Sequence, residues 1–243
     1  MLRVLAYRQV AFSKFPYALR SFLDFLHSLK QHYSFILPGD PLPNRKAIIL
    51  TFDYASVDFY KHVFPFLQKF QIPAVVGVAW RYVSRLESEN LPIDMRISPS
   101  DFLAFQDEIF SYYQPFCSVK ELCHMAQSSI IRFASSGFAI RNLKNSPPYL
   151  HTEISLSKIL LEEAIQAPVE VFFYPFGKSD LVSQHFVQEV YRYSFVLGDA
   201  ASFFYSMQSQ HSIPRIDMAL DSRGIPSLYQ LSFRQLKRFL ILH

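Results

Sequence analysis

The chain has 243 residues, 50% of them hydrophobic and 18% charged, with a formal net charge of +4. That balance excludes a disordered chain, which needs low hydrophobicity and high charge, and only 6 Gly make collagen-like and glycine-loop nucleotide folds poor fits. No stretch reaches the roughly 20 apolar residues of a membrane span, and the basic residues are scattered, so neither a membrane span nor a nucleic-acid footprint is expected. Arg3 and Arg8 interrupt an amino terminus without the apolar core of a secretory signal, which points to the cytoplasm. Cys117 and Cys123 lack zinc-site spacing and are expected to stay reduced.

Taken in order, Leu2–Ala6 is a short apolar run and a first strand. Phe15–Tyr33 carries Leu19, Phe22, Leu23, Leu26 and Leu29 at helical spacing. Leu37–Lys46 is a loop of turn formers, and Ala47–Phe52 reads as a buried strand of a parallel sheet. Asp58–Phe70 is a helix and Ala74–Ala79 a second buried strand, completing a βαβ unit. The more charged and irregular stretch 81–116 reads as an insertion. Val119–Ser128 is a helix, Ile130–Ala134 a strand, and Ser135–Leu143 the loop after it. Helix Ile154–Gln166, strand Val169–Tyr174, helix Leu181–Val190 and strand Tyr193–Leu197 follow. Leu228–Leu242 is a terminal helix.

Alternating helices and buried strands predict either a β/α barrel or a doubly wound sheet. In both architectures the site lies at the carboxyl ends of the strands. Weight therefore falls on Asp53 and Tyr54, on Ser135–Leu143 and on Tyr174–Gly177.

At these strand ends the chain resembles the polysaccharide deacetylases of carbohydrate esterase family 4, the NodB homology group. Leu5-Ala-Tyr-Arg is similar to that family's opening Leu-Met-Tyr-His, and Leu50-Thr-Phe-Asp-Tyr to its first motif, Leu-Thr-Phe-Asp-Asp. Ile72-Pro-Ala, the helix from Glu153, and Phe172-Phe-Tyr-Pro-Phe-Gly-Lys resemble later family segments in the same order. The resemblance implies an α/β fold, a single irregular (β/α) barrel over residues 1–243. It also implies removal of an acetyl group from a sugar amide or ester, with a divalent metal such as zinc polarising the carbonyl and activating water.

The departures from the family pattern fall where that chemistry is done. Asp53 matches the base, but Tyr54 stands at the metal-binding Asp, and Ser136 and Ile140 stand at the two His of the second motif. Ile offers no donor atom, and neutral hydroxyls are poor ligands for a divalent cation. No bound metal is therefore expected. Asp53 has two readings, a base or a carboxylate capping the next helix. Tyr174 and Phe176 either stack on sugar or pack the core. By resemblance, the Phe176 N–H could still hold an acetyl oxygen. Arg215 in Ile213-Pro-Arg-Ile resembles a segment after the barrel's last strands, where it either lines the pocket or pairs with a surface acid. His243 either matches the family's late acid or ends a helix.

The expected function is a deacetylase-like protein that has lost metal-dependent deacetylation and binds an acetylated polysaccharide, an oligosaccharide or a protein partner through the old cleft. The alternative is an active hydrolase of C–N amide bonds, with Asp53 as base and non-standard metal ligands.

Overall fold

The computed structural model describes residues 2–7, 16–84, 93–96, 103–198 and 212–218. Within them lie β1 (Leu2–Tyr7), α1 (Pro16–His32), β2 (Ser34–Phe35), β3 (Ala47–Phe52), α2 (Phe64–Phe70), β4 (Ala74–Val78) and α3 (Asp107–Tyr113). They continue with α4 (Val119–Ala126), β5 (Ile131–Ser135), α5 (Ser157–Ile165), β6 (Val171–Phe173), α6 (Leu181–Val190), β7 (Tyr193–Leu197) and β8 (Ile213–Asp217). Strands β3 to β8 pair in parallel in chain order, and β1 pairs with both β3 and β8. Seven strands thus close on themselves, which decides for the barrel over the open sheet. The two-residue β2 lies beside the start of β3.

Side chains alternate across each strand, so every strand feeds two layers. One buried cluster holds Leu2, Val4, Ala47, Ile49, Val75, Ala134, Val171, Phe173, Phe195 and Ile213 and fills the barrel. The alternate residues, among them Leu5, Tyr7, Ile48, Leu50, Phe52, Val76, Phe133 and Phe172, pack outward with Phe22, Leu26 and Leu29 of α1 and Leu161 of α5. Period two therefore puts Thr51 and Asp53 on the face of Ile49, Ser136 on that of Ala134, and Arg215 on that of Ile213. The interior has little room at this level. A Cβ on Gly77 would stand 2.6 Å from Ser136 Oγ and 2.7 Å from Phe173 Cδ2.

Two helices open on π turns, Phe59–Val63 before α2 and His151–Leu156 before α5. The first precedes Pro65, which has no N–H to continue an α ladder, so the turn widens there. Capping boxes fix the starts of α4, Ser118 with Glu121, and of α6, Asp180 with Ser183.

Two regions differ from expectation. Strand β8 holds Arg215, which sequence reasoning placed after the last strand. Helix α3 and three 3-10 turns give the 81–116 stretch more structure than expected. Arg96 clasps that stretch to α4, donating to Glu121 Oε1 at 2.7 Å and Oε2 at 2.8 Å. Arg8, the terminal helix 228–242 and His243 lie outside the described residues. Both cysteines are free thiols. No described helix is long and apolar enough to cross a membrane.

Candidate functional site at the carboxyl ends of the strands

Asp53 follows β3 directly and turns into the barrel, where it is 7% exposed. Its partner is Arg215, buried at 1%. Nη1 of Arg215 donates to Asp53 Oδ1 at 2.5 Å and Nη2 to Oδ2 at 3.4 Å. Nη1 also donates to Thr51 Oγ1 at 3.3 Å, while the Thr51 hydroxyl donates to the Leu5 carbonyl at 2.8 Å. The guanidinium carbon lies 4.1 Å from the centroid of Phe173, a cation–π contact in a dry setting. Arg215 thus pairs with a buried acid rather than a surface one. The helix-capping role falls to Ser56, whose Oγ accepts from the Phe59 N–H at 3.1 Å.

Tyr54, Ser136 and Ile140 each follow a strand at this end of the barrel. Tyr54 meets Phe105 edge-on at 5.0 Å between centroids. Phe105 in turn contacts Tyr82 at 5.0 Å and stacks on Phe116 at 4.9 Å. The 81–116 stretch has therefore built an aromatic cluster around Tyr54. Ser136 is buried, and its Oγ has no hydrogen-bond partner among the described residues. Ile140 is buried as well.

The loop after β5 hangs on Glu153, a residue sequence reasoning did not single out. Its carboxylate is 1% exposed and accepts from the Ala139 N–H at 3.1 Å on either oxygen and from Arg141 N–H at 3.5 Å. Burial pushes its pKa up, against the pull of these amides and of Arg141, whose Nε lies 3.7 Å away. Gly137 makes the approach possible. Its φ is +88°, and a Cβ there would fall 2.5 Å from Glu153 Oε2. An acid on the buried face of an apolar helix was the available signal.

Tyr54, Ile140 and Phe176 all adopt left-handed backbone, with φ of 57°, 56° and 57°. For a β-branched residue such as Ile this conformation is a genuine outlier. Strained backbone of this kind concentrates at functional sites, at a cost on the order of 1–3 kcal/mol each. Of the two aromatics expected to touch sugar, Phe176 is 49% exposed. Tyr174 is 1% exposed and packs edge-on against Phe172 in the outer layer.

The residues present do not fit a catalytic divalent cation. The three positions offer an aromatic ring packed on Phe105, one hydroxyl and an aliphatic chain, where imidazole and carboxylate are required. Arg215 already supplies the positive charge against Asp53. Among the described residues, no three His, Cys, Asp or Glu gather as a metal site. Asp58 and His62, one helical turn apart, approach only to 4.0 Å.

Residues 41–193 match the family model for polysaccharide deacetylase. Poly-beta-1,6-N-acetyl-D-glucosamine N-deacetylase of Escherichia coli K12 is 35% identical over 97 residues, 40% of this chain. The match spans 12% of that relative's length. Among solved structures, IcaB from Ammonifex degensii superposes with a TM-score of 0.69 at 20% identity, covering 96% of this chain and 97% of that one. The Streptococcus pyogenes deacetylase PplD, in complex with acetate, gives 0.63 at 17%, covering 97% and 96%.

Proposed function

Because the chain belongs to the polysaccharide deacetylase family, we propose that it is a deacetylase-like barrel which no longer runs metal-dependent deacetylation and holds a carbohydrate at the carboxyl ends of its strands. One observation carries the proposal. Tyr54, at the metal-binding Asp position, is locked into the aromatic cluster of Tyr82, Phe105 and Phe116, and the two His positions hold Ser136 and Ile140. Loss of all three donors leaves no Lewis acid for an acetyl carbonyl.

What remains suits binding. Phe176 offers a half-exposed ring after β6, and Tyr54, Tyr82 and Phe105 are partly exposed at the same end of the barrel. Aromatic faces of this kind suit the apolar faces of sugar rings. The buried Arg215–Asp53 pair holds the floor of the site rigid.

The test pairs metal analysis of the purified protein with an acetate-release assay on acetylated chitooligosaccharides, and with titration of the same oligosaccharides. The expected result is no stoichiometric metal, no acetate above background, and saturable binding weakened in Phe176→Ala. Acetate release that a chelator abolishes would overturn the proposal in favour of an active hydrolase with unrecognised ligands. Absence of saturable binding would overturn the carbohydrate half of it.

A further inference from the structure

The opposite end of the barrel carries a second feature. A groove of about 600 Å³ opens at the amino ends of the strands, lined by Gln31, His32, Tyr33, Arg45 and Lys46. No acid lines it. That volume falls within the range of small-molecule sites. Lys46 immediately precedes β3 and Tyr33 immediately precedes β2, whose register pairs Ser34 with Ala47. The groove therefore faces away from Asp53, by the full length of the parallel strands.

The charges here are unequal in their explanation. Lys30 and His32 sit in the last turn of α1, where cations offset the negative carboxyl end of a helix. Lys30 also donates to the Phe70 carbonyl. Arg45 and Lys46 belong to no such arrangement. Both are exposed, and neither forms an ion pair with any described residue. Five other described arginines pair with acids: Arg81 with Asp107, Arg96 with Glu121, Arg141 with Glu153, Arg192 with Glu170, Arg215 with Asp53. Beneath the groove, Arg3 Nη1 donates to Tyr33 Oη at 3.0 Å, polarising that hydroxyl and leaving its proton to be given elsewhere.

We infer that this groove binds a phosphate ester or pyrophosphate group, with Arg45 and Lys46 as its cationic contacts. Arg45 supplies the planar fork that matches phosphate oxygens, and Lys46 a point charge beside it. Gln31 adds a neutral donor. The phosphate belongs either to a soluble compound or to a lipid headgroup, since the chemistry is shared. This inference is independent of the function proposed for the other end.

The test is calorimetric titration of inorganic pyrophosphate into the full chain at low salt, alongside co-sedimentation with phosphatidylglycerol and phosphatidylcholine vesicles. Saturable binding of pyrophosphate is expected, and Arg45→Ala with Lys46→Ala should weaken it by about tenfold or more. Both positions are exposed, so folding is not at risk. Arg20→Ala removes the same charge on α1, twelve residues from His32 and roughly 18 Å along the helix, and should leave binding within about twofold. Capture by phosphatidylglycerol vesicles but not phosphatidylcholine, lost in the double variant, identifies a headgroup; pyrophosphate binding without vesicle capture identifies a soluble ligand. Binding of neither probe, or an equal loss in Arg20→Ala, overturns the inference.

Discussion

Arg215 on the last barrel strand and Asp53 beyond β3 form a buried two-point ion pair, with Nη1 2.5 Å from Oδ1 across 162 positions of sequence. Both residues are buried, so each compensates the charge of the other. Removing one partner strands a charge in the barrel.

Arg215→Ala is therefore expected to destabilise the fold by about 3–5 kcal/mol, and Asp53→Leu by a similar amount. The double change Asp53→Leu with Arg215→Met should recover most of that loss, because apolar groups of similar volume often replace a buried pair without penalty. Urea unfolding of the three variants gives the cycle. Additive losses would mean that the pair is not coupled.

Much of this architecture was legible beforehand, and the omissions have physical causes. Ala47–Phe52, Leu181–Val190 and Tyr193–Leu197 were read to the residue because their apolar patterns are uninterrupted. Strand β8 was missed because Pro214, Arg215 and Asp217 make it read as a loop. Its arginine is tolerable in a strand only because Asp53 meets it, and no local pattern reveals that. Helix α3 buries no residue and so shows no apolar stripe. At the site, the resemblance to the family motifs singles out Asp53, Tyr54, Ser136 and Ile140, each of which follows a strand of the barrel. The anchoring role of Glu153 and the aromatic cluster around Tyr54 arise from tertiary contacts.

That cluster predicts coupling. Tyr54 and Phe105 meet edge-on at 5.0 Å, and such pairs contribute about 0.5–1.5 kcal/mol beyond burial. A thermal or urea double-mutant cycle on Tyr54→Ala and Phe105→Ala should return a coupling of that size. A value indistinguishable from zero would mean that residue 54 does not hold the 81–116 stretch.

Glu153 predicts a pH dependence of stability. Burial raises its folded pKa above the unfolded value, which is about 4.3. The folded state then binds more protons between the two values, so this carboxyl's contribution is full below the unfolded pKa and falls as pH rises through the folded one. In Glu153→Gln the decline in melting temperature on that side should flatten. The variant should also be less stable overall, because its amide group meets the Ala139 and Arg141 N–H donors less well than a carboxylate does. An unchanged slope from pH 4 to 7 would sink the assignment.

The strictest prediction restores the missing donors. In the triple variant Tyr54→Asp, Ser136→His, Ile140→His, all three positions lie after strands at one end of the barrel. Residues 54 and 140 keep their left-handed backbone at φ near 57° and 56°. Two obstacles stand against it. Ser136 is 2% exposed, with Gly77 and Phe173 close by, so an imidazole there must displace neighbours. Tyr54→Asp also sets a second carboxylate beside Asp53 and removes the ring that Phe105 packs against. Partners that orient metal-binding imidazoles are worth about 10–100-fold in affinity, and these positions were not built to supply them. Zinc is therefore expected to bind the triple variant at about micromolar affinity or weaker, and not the parent, with little or no acetate release. Calorimetric titration of zinc into both proteins, each checked for folding by circular dichroism, measures the difference. A folded triple variant that takes no more zinc than the parent would show that residues 54, 136 and 140 are not the old ligand positions, and that the departures from the family motif have to be placed elsewhere.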